Sequence, residues 1–220
     1  MKDRSGRFMT VSEFDFQTWG YATMSFMDRD VITAMRQQGK NPATELGIDR
    51  YIQAKYTPGP VSLGMLENQQ LPIGVTPGDP ERTFIPAFGV TIRNVWVGRG
   101  DVQHLDQLVL QVPEPLILET DSCTGNVDSK GNTVTPVIRT DSFVGEVPQG
   151  YTWYEFNDLA FSKDQQLKTV RCPLRVNGDN YADLLGPDLS AKQFTLVALA
   201  NYTYESQTPV PIRLGVERIS

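Results

Sequence analysis

Beyond about residue 90, apolar and polar residues alternate with a period of two, the spacing at which a β-strand turns one face to a core and the other to water. Val90, Ile92 and Trp96 share one parity; Leu108, Leu110 and Val112 share another, and Leu116 and Leu118 resume it past Pro113 and Pro115. Further strands are predicted over 133–140, 143–147, 151–156, 168–176, 194–204 and 210–219, the last with Val210, Ile212, Leu214 and Val216 inward. Together these make about eight strands, the number two facing four-stranded sheets of a jelly roll require. The fold expected is mainly β: an antiparallel β-sandwich of jelly-roll type over 90–220, with Ile92, Leu110, Val170, Leu174, Leu196, Ile212 and Leu214 in its core.

The chain before residue 90 reads differently. Asp28 or Asp30 can cap a helix through Val31, Ile32, Ala34 and Met35 that Gly39 would end. Asn41 and Pro42 repeat the start signal for a second helix carrying Leu46, Ile48, Tyr51, Ile52 and Lys55 up to Pro58. The aromatic and Met-rich stretch 8–27 fits strand or helix. Residues 1–60 are therefore expected as a partly helical N-terminal extension. Prolines at 58, 60, 72, 77, 80 and 86 fall in residues 57–90 and make an extended connection, placed at 61–89, with at most a short edge strand over 71–75.

Composition narrows the function more than it names it. With 40% hydrophobic and 21% charged residues the chain can bury a core. No apolar run approaches a membrane span, and no apolar segment of signal-peptide kind follows Met1–Arg7, so the expectation is a protein that neither spans a membrane nor is exported by a leader. A net charge of −6 argues against a phosphate-binding groove, so no direct nucleic-acid binding is expected. Cys123 and Cys172 form no redox or metal motif; Cys172 shares a face with Val170, Leu174 and Val176, and both are expected to be reduced thiols.

Candidate chemistry is sparse. His104, the one histidine, lies between Asp101 and Asp106, but no nucleophile elbow accompanies it, and an exposed turn histidine is the plainer reading. The run from Asp121 to Asn132 looks superficially like a calcium loop, yet Lys130 falls at a ligand position, so a hairpin connection with Gly131 at positive φ is expected instead. Tyr151 and Trp153 share a face that would suit sugar stacking. Arg99-Gly100-Asp101 spells an adhesion tripeptide in a predicted turn. No catalytic residue, metal ligand or cofactor site is expected.

In architecture and composition the chain resembles a virion structural protein of a bacterial or archaeal virus, with no motif that assigns a family. The expectation is a non-enzymatic shell, minor capsid or decoration subunit, assembled in the host cytoplasm and residing in the virion. Its partners would be copies of itself, as a homo-oligomer or shell, and other virion proteins. The contacts would come from Phe14, Phe16, Trp19, Tyr21 and Phe26 in the N-terminal stretch and from Pro58, Pro60, Pro72 and Pro77 in the connection. The competing expectation is a ligand- or carbohydrate-binding β-sandwich on a host-recognition appendage.

Overall fold

The computed structural model describes residues 5–66, 69–76, 79, 83–139, 150–161, 166–177, 183–185 and 191–213, and only the backbone at 5–8 and 211–213. In chain order the elements are β1 (Ser5–Asp28), α1 (Arg29–Gln37), α2 (Pro42–Glu45), β2 (Ala54–Tyr56), β3 (Val61–Met65), β4 (Ile73–Val75), β5 (Phe88–Asn94), β6 (Gly100–Pro113), β7 (Leu116–Leu118), β8 (Val137–Arg139), β9 (Tyr151–Leu159), β10 (Leu167–Cys172), β11 (Leu174–Val176) and β12 (Lys192–Arg213). The protein is mainly β and its sheets are antiparallel, apart from the short parallel contact of β4 with β1.

The seven-stranded sheet runs β2-β1-β12-β6-β9-β8, with β4 beside the end of β1. Its spine is the pairing of β1 with β12, unbroken from Ser5 opposite Arg213 to Phe26 opposite Lys192. A second sheet has the order β10-β5-β3. The β7–β11 pair continues it: Leu118 lies opposite Leu174, the Glu119 N–H donates to Pro173 O, and Thr124 bridges Arg171. Pro173, which has no N–H to give, separates β10 from β11.

Alternation decides which face is buried. Ala22, Met24 and Phe26 of β1, Leu108 and Leu110 of β6, Tyr154 and Phe156 of β9, and Leu196, Ala198 and Ala200 of β12 form one face of the large sheet. They share a single apolar cluster with Leu63 and Met65 of β3, Val90 and Ile92 of β5, Val170 and Cys172 of β10, and Leu174 of β11. Of the core residues expected from sequence, Ile92, Leu110, Val170, Leu174 and Leu196 are buried here; Leu214 and the side chain of Ile212 lie outside the described residues.

Several expectations need correction. The stretch 8–27 is strand and β1 stands inside the largest sheet, so of the partly helical extension expected over 1–60 two short helices, α1 and α2, are present while the stretch before them is part of the sheet. Helix α1 follows the sequence signals: the Asp28 carboxylate accepts from the N–H groups of Asp30 and Val31, and Gly39 sits at φ +74°. The second helix stops at Glu45 instead of reaching Lys55, because Gly47 turns left-handed at φ +63° and the chain must extend to reach β2. Segments 194–204 and 210–219 are not two strands: β12 runs through both as far as Arg213. Of 133–140, residues 133–139 are described and only β8 among them is strand, and 143–147 lies outside the described residues. The connection 61–89 contributes β3 to the second sheet and β4, within the 71–75 edge-strand window, to the first.

Cys123 and Cys172 are not free thiols; they form a disulfide. Cross-strand neighbours bring them together: Thr124 and Arg171 exchange main-chain hydrogen bonds immediately beside the two cysteines. Periodicity placed Cys172 correctly in the core, but it carries no information about which distant residue lies across from it.

Candidate functional site

Beyond Ser206, where its pairing with β6 ends opposite Gly100, β12 has only β1 beside it among the described residues. The two strands leave the body as a two-stranded arm, Ser5–Ser12 against Ser206–Arg213. A ribbon of two strands is marginal alone in water. This one nevertheless exposes apolar side chains, with Met9 at 61%, Val11 at 58% and Val210 at 40% exposure.

At the root of the arm an aromatic cluster joins it to the body. Phe16 stacks on Tyr202 with centroids 5.9 Å apart and meets Tyr204 and Trp96 edge-on at 6.1 and 6.5 Å. Phe14, half exposed, packs on Phe16 at 6.2 Å. The Tyr202 hydroxyl lies 3.0 Å from Thr18 Oγ1, both groups buried. Burial, ahead of every other influence, pushes the phenols of Tyr202 and Tyr204 above their ordinary range. The adjoining turn leaves Val95, Trp96 and Val97 exposed, so apolar surface continues from Phe14 across the root.

The remaining interface candidates separate by burial. Tyr21 and Pro58 are exposed and Trp19 half-buried, whereas Phe26, Pro60 and Pro72 lie in the interior. Pro77 lies outside the described residues. The inward parity of β1 explains Phe26, two residues from Met24 on the core face.

The outward face of the large sheet has a partly apolar centre. Trp19, Leu199, Val109 and Trp153 pack together across β1, β12, β6 and β9. Beside them runs a polar ladder: Gln17 Nε2 donates to Asn201 Oδ1 at 3.0 Å and Asn201 Nδ2 to Gln107 Oε1 at 2.7 Å. Asn201 also heads a glycosylation-type tripeptide, but its amide is committed to this ladder inside β12. Trp153 is buried, with only 6% exposed, and offers no open ring for stacking; Tyr151 is half-buried.

Arg99-Gly100-Asp101 does not stand at a loop tip. Gly100 is buried at the start of β6 opposite Ser206, and Arg99 O accepts from the Gln207 N–H and the Ser206 hydroxyl. A Cβ on Gly100 would come 2.1 Å from Glu205 O, so close packing against β12 is what requires glycine there.

His104 is exposed, with Nδ1 3.0 Å from Asp106 Oδ1. The nearby Thr203 hydroxyl donates to Asp106 Oδ2 rather than meeting the imidazole, an arrangement that gives no base-activated nucleophile. In the segment resembling a calcium loop, Asp128 spends its oxygens on the N–H groups of Lys130 and Asn132 and on Asn132 Nδ2. Those bonds, the Asn132 side chain first, hold its carboxyl below the ordinary range. Among the described residues no cluster of His, Cys, Asp and Glu is arranged to hold a metal ion, and no helix is long and apolar enough to cross a membrane.

Compared with known proteins, the chain matches no protein-family model, no curated protein and no solved structure.

Proposed function

We propose that the protein is a non-enzymatic structural subunit of the virion of a bacterial or archaeal virus, a β-sandwich of jelly-roll type that works by assembling with copies of itself and other virion proteins. The observation that carries this reading is the order of pairing. First strand pairs with last (β1–β12), β5 pairs with β10, and β6 pairs with β9, three nested pairings like those of a long hairpin rolled up, while the short β7–β11 pair crosses the inner two. Two sheets that share one apolar core and three nested pairings support the jelly-roll reading, an architecture used by viral shells and by lectins.

Two features favour the shell over the lectin. The exposed Met9, Val11, Phe14 and Val97 give a protein–protein contact something to cover, while the buried Trp153 leaves little for a sugar to stack on. The disulfide suits a particle that spends its life outside a reducing cytoplasm, so the bridge would close late, in or after assembly. Native mass spectrometry and electron microscopy of the purified protein should show rings, shells or defined oligomers. A protein that stays monomeric at high concentration, alone and with its natural neighbours, and binds a glycan through Tyr151 and Trp153 would end this reading in favour of the binding module.

A further inference from the structure

The two edges of the arm are not equivalent. In an antiparallel ladder, pairs that exchange both main-chain bonds alternate with pairs whose N–H and C=O groups point away from each other. Pro209 and Pro211, opposite Met9 and Arg7, have no N–H and occupy pairs of the second kind. Odd-numbered residues of both strands therefore turn their main-chain groups outward. Two bonds agree with that parity: the Gln207 N–H leaves β1 for Arg99 O at 3.2 Å, and Trp19 exchanges bonds with Thr57 on the β2 side, 3.0 and 2.9 Å long. On β12 the next two outward donors after Gln207 are missing, since residues 209 and 211 are proline, the usual way of blunting a sheet edge. On β1 the outward edge from Ser5 to Gln17 contains neither proline nor lysine, and among the described residues no strand lies beside it.

We propose that this open edge of β1 is where a second copy of the chain adds, strand β1 against strand β1 in antiparallel fashion about a two-fold axis. The sequence of the edge is complementary to itself. Centred on Thr10, the register sets Met9 opposite Val11, Arg7 opposite Glu13, and Ser5 opposite Asp15. The outward groups of residues 5 to 15 then form about twelve main-chain hydrogen bonds between the copies. The exposed Met9 and Val11 each gain an apolar cross-strand neighbour. Glu13, which faces Glu205 within its own sheet, gains an arginine across the new ladder. The contact rests on the reading of the protein as an assembling subunit and gives that reading a surface and a symmetry.

Met9→Pro with Val11→Pro tests it, because these changes remove outward donors only, as Pro209 and Pro211 do on the other strand. In sedimentation and native mass measurements the wild-type chain should form two-fold assemblies, and the double variant should dissociate at least ~100-fold more readily with an unchanged circular dichroism spectrum. A charge exchange checks the register without proline: Glu13→Arg should weaken association ~10-fold, and adding Arg7→Glu should restore it. Wild-type assembly that neither the prolines nor the charge exchange disturbs would overturn the β1 edge while leaving the structural reading intact. A wild-type protein monomeric under all conditions would overturn both.

Discussion

Lys168 sits on an inward position of β10, opposite the fully buried Ile92, with its ammonium donating to Val127 O at 3.2 Å. Burial lowers its pKa from the ordinary 10.5. The unfolded chain keeps this proton up to about pH 10.5 while the fold releases it at lower pH, so between the two values the unfolded state binds more protons and stability rises with pH. Below that window the cost of burying the charge is present in full. Lys168→Met should accordingly raise stability at neutral pH, with the advantage shrinking as pH approaches 10.5; denaturant titrations of both proteins across that range check it. Tyr202 and Thr18 make the opposite case, a buried polar pair with partners in place. Tyr202→Phe should cost about 1–3 kcal/mol by stranding the Thr18 hydroxyl, and adding Thr18→Val should recover part of the loss, as a double-mutant cycle would show.

At the scale of elements, the disulfide ties the turn after β7 to β10 across a sequence separation of 49 residues. Closing a loop of that length in the unfolded chain is worth about 4 kcal/mol in the chain-entropy model. Cys123→Ala with Cys172→Ala should lower the thermal midpoint, and a reductant should bring the wild-type protein down toward the variant. Local signals located most elements: the Asp28 cap and Gly39 bound α1, and the alternation at Val90, Leu108 and Leu196 marks β5, β6 and β12. The pattern misjudged elements whose fate lies elsewhere in the chain. Within 8–27 the runs Met9-Thr10-Val11-Ser12 and Phe14-Asp15-Phe16-Gln17 each alternate but are out of phase with one another, and Met9, Val11 and Phe14 face water, so the local pattern does not name the strand some 200 residues away that makes them β. The disulfide escaped for the same reason, since pairing across strands is a property of topology. The candidate surface was half legible: the aromatic content of 8–27 drew attention to Phe14 and Phe16, while the prolines that separate an open edge from a blunted one gain meaning only once β12 is laid against β1.

For the whole molecule, the placement of β1 changes what removal of the N-terminus must do. Residues 22–26 bring Ala22, Met24 and Phe26 into the core, all nearly without exposure, and β1 supplies β12 with one of its two neighbours. Emptying a single such site, for example Leu196→Ala, should cost about 2–5 kcal/mol. Deleting 1–27 removes four buried apolar side chains, Met27 included, and an interior strand together, a loss comparable to the ~5–15 kcal/mol that holds a domain folded. The described part of 1–12 is the arm strand, whose described side chains, Met9 to Ser12, are exposed and whose pairing serves the arm alone. The two truncations should therefore separate folding from assembly. The chain lacking 1–12 should keep a cooperative thermal transition within a few degrees of the full-length protein and lose its two-fold association. The chain lacking 1–27 should show no cooperative transition at all. A cooperative melt for the longer deletion would mean that β1 is dispensable to the sheet, and undiminished association of the shorter one would place the contact elsewhere than on the arm.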